Sequence, residues 1–161
     1  KDIFSKYLSI DLPFSEEDLA CHGGDAKALV QKMTDLTVEA MYASSEENKF
    51  IEVTYANGEK EVLYFKDFAS GALIEGIVSR AEKFAVKRAI AKEGRGLHSE
   101  DLIRAIREEF KEHEDLPNTT NPDDWAKISG KKGEKIVHLR TISGGPGESR
   151  QIETVTTGHY L

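Results

Sequence analysis

The sequence predicts an α+β fold, and three observations carry that prediction. Several stretches place apolar residues three and four apart, as one face of a helix requires. Two short segments about Asn57-Gly58 alternate with period two, and a β-branched run lies near the C-terminus.

The first elements are helical. Asp2 to Leu8 puts Phe4, Tyr7 and Leu8 on one helical face, and Pro13 interrupts. Ser15-Glu16-Glu17-Asp18 reads as a capping box, in which Ser15 accepts from orphan N–H groups and Asp18 reaches back. Gly23-Gly24 ends that short helix. Asp25 caps a long helix to about Ser44, with Leu29, Met33, Leu36 and Ala40 as its stripe and Val30, Thr37 and Met41 beside it.

Residues 50–65 form a β-hairpin. Asn57-Gly58 suits a two-residue type I′ turn, which sets Val53 opposite Val62 and Ile51 opposite Tyr64. Ser70-Gly71 opens a second long helix to about Lys92, carrying Leu73, Ile74, Ile77, Val78, Ala81, Phe84 and Ala85, and Gly94-Arg95-Gly96 stops it. Ser99 caps a third helix through about Glu114, with Leu102, Ile103, Ile106 and Phe110 inward. Ile136 to Ile142 reads as a strand that shares a sheet with the hairpin, because a two-stranded ribbon buries its apolar face poorly. Gly130-Lys131-Lys132-Gly133 precedes it as a turn, and the last residues carry no pattern.

Composition narrows the function. The 161 residues carry 22 Lys and Arg against 29 Asp and Glu, a net charge of −7. That balance argues against a nucleic-acid partner, which would want a basic stripe. No apolar run approaches the roughly 20 residues of a membrane span. The single cysteine, Cys21, fits a reducing cytoplasm and is expected to be buried and structural. The chain opens on Lys1-Asp2-Ile3-Phe4 without Met or signal-peptide pattern, which predicts a piece of a longer cytoplasmic protein.

Chemistry is sparse. No Gly-x-x-x-x-Gly-Lys-Ser/Thr loop is present, so the chain alone is expected not to hydrolyse a nucleotide. Glu109 and His113 lie four apart on one helix face, but with no third ligand nearby a surface contact outweighs a metal site. Cys21-His22 lacks an orienting acid, and adjacent helical side chains point apart. His138 needs no role beyond strand alternation. No catalytic residue and no metal site are expected.

At Ser70-Gly71-Ala72-Leu73-Ile74, followed by an Ala-rich helix, the chain resembles the small C-terminal lid subdomain of AAA ATPases. Asp2 to Leu8 resembles the first lid helix, Leu12-Pro13 the next turn, and Ser99-Glu100-Asp101-Leu102 the last lid helix. Three further stretches are similar to the actinobacterial proteasome-associated AAA ATPases, the Mpa/ARC family: Phe50 to Phe68, Glu112 to Trp125, and Thr157-Gly158-His159-Tyr160-Leu161. The resemblance spans essentially the whole chain.

The resemblance implies a helical AAA lid over 1–48 and 69–115. It implies a β-grasp-like subdomain over 49–68 and 116–153, where the inserted hairpin joins C-terminal strands, and a flexible docking tail over 154–161. It implies the C-terminal part of a homohexameric ring that hydrolyses ATP with Mg, unfolds Pup-tagged proteins and feeds them to the proteasome core. The phosphate loop and Pup-binding regions would lie upstream, and no cofactor is expected to bind this chain tightly by itself. Gly71 and Ala72 match the turn whose backbone lies against the adenine, where glycine suits close approach; Gly71 also permits a sharp start to the helix. Gly158, His159, Tyr160 and Leu161 match the Gly-Gln-Tyr-Leu tail that docks between proteasome α-subunits. His159 replaces Gln there and can take up a proton below about pH 6.5. The alternative is ATP-driven remodelling of tagged proteins without a protease, with the β-grasp part as an interaction module.

Overall fold

The computed structural model describes residues 1–114 and 136–142. The helices are α1 (Phe4–Tyr7), α2 (Glu16–Cys21), α3 (Ala26–Tyr42), α4 (Gly71–Ile90) and α5 (Ser99–Glu114). The strands are β1 (Lys49–Tyr55), β2 (Lys60–Tyr64) and β3 (Ile136–Thr141), with short 3-10 turns at Glu46–Asn48 and Phe65–Phe68. The chain divides into two compact units, Lys1–Tyr42 with Ala69–Phe110, and Ala43–Phe68 with Lys111–Leu161. The α+β prediction holds.

In the helical unit, α3 begins where Asp25 Oδ1 accepts from the N–H groups of Lys27 and Ala28. Its buried stripe is Leu29, Met33, Thr37 and Met41, joined by Thr34, rather than the predicted path through Leu36 and Ala40. Thr37 sits inside because its hydroxyl donates to the Met33 carbonyl at 2.6 Å, so no polar atom is stranded. The stripe of α4 is Leu73, Ile74, Ile77, Val78, Ala81 and Ala85. Phe84, predicted to belong to it, is half-buried and lies under the Arg104 guanidinium, 4.2 Å from its ring centre. The buried apolar residues of α5 are Leu102, Ala105 and Ile106, while Ile103 and Phe110, predicted to lie inward, are half-buried.

Helix α4 stops before the predicted glycines. Lys92 and Glu93 donate to the Ala89 and Arg88 carbonyls, and Lys92 takes the left-handed conformation at φ 60°. These are the two closing bonds of a Schellman motif, with lysine where glycine is usual. Gly96 has a different task. At φ +87° it lies so close to residues 14 and 15 that a Cβ there would collide with the backbone of Phe14 and Ser15. Phe14 and Leu97 form a parallel bridge there, with Leu97 donating to the Pro13 carbonyl at 2.7 Å and Ser15 to the Leu97 carbonyl at 3.1 Å.

That junction corrects two capping assignments. Ser15 Oγ does accept from Asp18 N–H at 3.1 Å. The Asp18 carboxylate, however, does not return to Ser15, whose N–H already has the Leu97 carbonyl. It accepts instead from the Ser99 N–H at 2.9 Å, at the start of α5. Ser99 is thus the first residue of that helix rather than its cap, and Asp101 accepts from the His98 N–H at 2.9 Å.

Among the described residues the other unit holds a three-stranded antiparallel sheet in the order β2-β1-β3, so the hairpin and the C-terminal strand share a sheet as expected. Its register departs from the prediction by one residue: Ile51 faces Leu63 and Val53 faces Glu61. The cause is the turn. Gly58 alone has positive φ, at +85°, and Asn57 spends its side chain accepting from the Glu59 N–H at 2.9 Å. Gly58 donates to the Tyr55 carbonyl and Tyr55 to the Glu59 carbonyl, which makes a three-residue loop of Ala56, Asn57 and Gly58. A one-residue slip turns every side chain of a strand over. Leu63 is therefore buried, while Val62 and Tyr64 are half-buried. A bulge between Lys49 and Ile51 lets Phe50 and Ile51 both point inward, and Phe50 meets Phe68 edge-on at 4.8 Å.

Gly96→Ala should destabilise the chain by about 2–4 kcal/mol in denaturant unfolding, from left-handed strain plus a backbone collision. A loss below about 0.5 kcal/mol, the size of an ordinary surface change, would show that the two backbones can part freely.

Candidate functional site

The site that the resemblance singles out is the start of α4. Ser70 is extended at φ −134°, ψ 166°, and its Oγ accepts from the Leu73 N–H at 3.2 Å, so the helix opens where predicted. Gly71 is half-buried and Ala72 exposed. A Cβ built on Gly71 meets nothing within 4 Å. The chain's own packing therefore places no demand for glycine at this position, in contrast to Gly96.

One turn further along α4, Glu75 accepts from the Tyr7 hydroxyl at 3.2 Å, which ties α1 to α4 across 68 residues of sequence. The negative charge of Glu75, chiefly, raises the Tyr7 phenol above its ordinary range, so it stays a donor. The next residue, Gly76, is backed by Glu109 of α5, whose Oε1 would lie 3.0 Å from a Cβ there. Arg80 holds that carboxylate through Nε at 3.2 Å and Nη2 at 3.1 Å.

The opposite end of α4 carries a second polar cluster. Arg88 Nη1 and Nη2 both donate to the Asp101 carboxylate, which is only 7% exposed. His98 Nδ1 lies 3.8 Å from Asp18 Oδ2. These charges close a helix junction; each carboxylate is already engaged by guanidinium or backbone N–H groups.

The other candidates lose their chemistry. Glu109, half of the weighed metal pair, is engaged by Arg80. Among the described residues no group of three or more His, Cys, Asp or Glu could hold a metal ion. Cys21, expected to be buried, is exposed at the end of α2, because that six-residue helix buries none of its side chains. His22 Nδ1 lies 2.9 Å from the Asp18 carbonyl rather than facing the thiol. His138 is half-buried in β3 opposite Thr54. The docking residues Gly158, His159, Tyr160 and Leu161 lie outside the described residues, as does the turn at 130–133. No helix of the described residues is long and apolar enough to cross a membrane.

Sequence reasoning missed the Tyr7–Glu75 link and the reach of Asp18 to Ser99. Neither has a local signal, since the partners are 68 and 81 residues apart.

Gly71→Ala should leave stability unchanged or raise it by up to about 1 kcal/mol, because the methyl enters open space at a helical position. Thermal unfolding of the chain checks this, and a marked loss would mean that Gly71 serves the fold.

Residues 1–160 match the family model described as ARC, AAA+ ATPase lid domain. The Proteasome-associated ATPase of Pseudarthrobacter chlorophenolicus is 58% identical over 99% of this chain and 28% of its own length. Proteins of the same name from Acidothermus cellulolyticus and Streptomyces scabiei are 59% and 60% identical over 100% of this chain, again 28% of their own lengths. The chain thus spans little more than a quarter of the curated relatives it matches.

Proposed function

The chain belongs to the ARC AAA+ ATPase lid family, and we propose that it forms the lid and docking tail of a ring ATPase that serves the proteasome. In this reading the ring is a homohexamer in the cytoplasm, unfolds Pup-tagged proteins and passes them to the proteasome core. The observation that carries it is the family match over residues 1–160, joined by relatives named Proteasome-associated ATPase.

The start of α4 fits a nucleotide. The place a side chain would occupy at Gly71 is empty and open, as a flat base laid against the Gly71 and Ala72 backbone needs. These two residues would hold the adenine side; the phosphates and Mg would fall to residues upstream, since this sequence has no phosphate loop. Bound ATP with Mg would supply the hydrolysis that drives unfolding. The lid's part is to carry Gly71 and Ala72 on a helix capped by Ser70 and tied to α1.

The β2-β1-β3 sheet would be the described part of a β-grasp subdomain, with the hairpin as an insertion between α3 and α4. Residues 154–161 would be the tail, with the Tyr160 ring and the Leu161 carboxylate entering a pocket between proteasome α-subunits. A second reading, protein remodelling without a protease, draws on His159 in place of glutamine.

In the full-length ring, Gly71→Val should weaken nucleotide binding at least tenfold, because a β-branched side chain fills the space the base requires. Equal binding by variant and wild type would sink the adenine assignment. Removal of Tyr160 and Leu161 should abolish co-purification of the ring with its organism's proteasome core while ATP turnover persists. Retention of the core by the shortened ring would refute tail docking, and an intact tail that retains none would favour the second reading.

A further inference from the structure

A polar link between the first helix and the start of α4 lies one turn from Gly71. We propose that Glu75 and Tyr7 form a ribose-reading pair: the Glu75 carboxylate accepts from the 2′- and 3′-hydroxyls of the bound nucleotide, and Tyr7 fixes that carboxylate. This rests on the reading that the base lies on the backbone of Gly71 and Ala72.

Residues four apart share a helix face, so Glu75 stands over the same side of α4 as Gly71. Their separation along the axis is about 6 Å. Glu75 is exposed and Tyr7 half-buried. The Tyr7 hydroxyl occupies Oε2 of Glu75 at 3.2 Å, and among the described residues Oε1 has no partner. Exposed Glu75 thus keeps one carboxylate oxygen available, and four residues before it the place of a side chain at Gly71 is open.

The chemistry selects the hydroxyls. An ionised carboxylate only accepts, so it wants a donor group, and it repels phosphates. That repulsion also orients the nucleotide, with its phosphates turned away from Glu75. Acidic residues read ribose hydroxyls in dinucleotide-binding folds for the same reason. Tyr7 acts through Glu75 and is a positioning residue: its phenol, kept protonated by the adjacent charge, holds the carboxylate in one rotamer.

The test uses the full-length ring, with affinities for ATP, 2′-deoxyATP and 3′-deoxyATP. Wild type should prefer ATP by about tenfold, the worth of one charge-assisted hydrogen bond. Glu75→Gln should bring the three nucleotides within about twofold of one another. Tyr7→Phe should fall between, through KM with kcat kept, and Tyr7→His, which restores a donor, should recover part of the preference. An unchanged preference in Glu75→Gln, or none in wild type, overturns the proposal. Discrimination against GTP that vanishes in Glu75→Gln, with none among the ribose analogues, also overturns it and reassigns the carboxylate to the base. If Gly71→Val binds all nucleotides normally, the adenine placement itself has failed.

Discussion

The helical unit depends on how closely two backbones approach at Gly96. With no Cβ there, Pro13 to Ser15 can lie alongside residues 96–98 and exchange two backbone hydrogen bonds with Leu97. Everything near that crossing is placed by it. Asp18 lies three residues beyond Ser15 and so reaches the first N–H of α5. Asp101, in the first turn of α5, meets Arg88 in the last turn of α4 and the His98 N–H between them. A buried carboxylate is costly alone, and Asp101 is tolerable because guanidinium and backbone donors surround it. The junction of α2, α4 and α5 is thus closed by main-chain geometry first and by charge second.

Much of this was legible in the sequence. Helix existence, the caps at Ser15, Asp25 and Ser70, and the membership of β3 in the hairpin's sheet stem from local chemistry and period. What failed was competition between local options. Asn57-Gly58 suits a type I′ turn, but Asn57 caps Glu59 with its own side chain and leaves only Gly58 at positive φ. Asp18 satisfies the capping-box pattern, but a neighbouring helix offered a better donor than Ser15 could. Cys21 carries no burial signal beyond its type, and the exposure of α2 decided its place. Near the start of α4 the Tyr7–Glu75 hydrogen bond was not legible, because a pair 68 residues apart leaves no periodic trace.

Gly71 and Gly96 illustrate how one residue type answers two demands. At Gly96 the missing side chain is filled by the chain itself, and the backbone is left-handed. At Gly71 the backbone is ordinary and the vacated space faces outward. An internal requirement explains the first glycine, and the chain's own packing makes no such demand of the second.

The position of β1 in the centre of its sheet has a consequence for synthesis. The hairpin is local, and β1 can pair with β2 as soon as Lys60–Tyr64 has left the ribosome. Its other edge pairs with β3, which is made only after all of α4 and α5. During that interval a strand carrying Phe50, Ile51, Val53 and Tyr55 presents unpaired backbone donors and acceptors to its surroundings. Nascent chains crowded on one message would meet at that edge before any could complete its own sheet. The order of strands in the gene, rather than the stability of the finished fold, sets when this protein is most prone to associate wrongly.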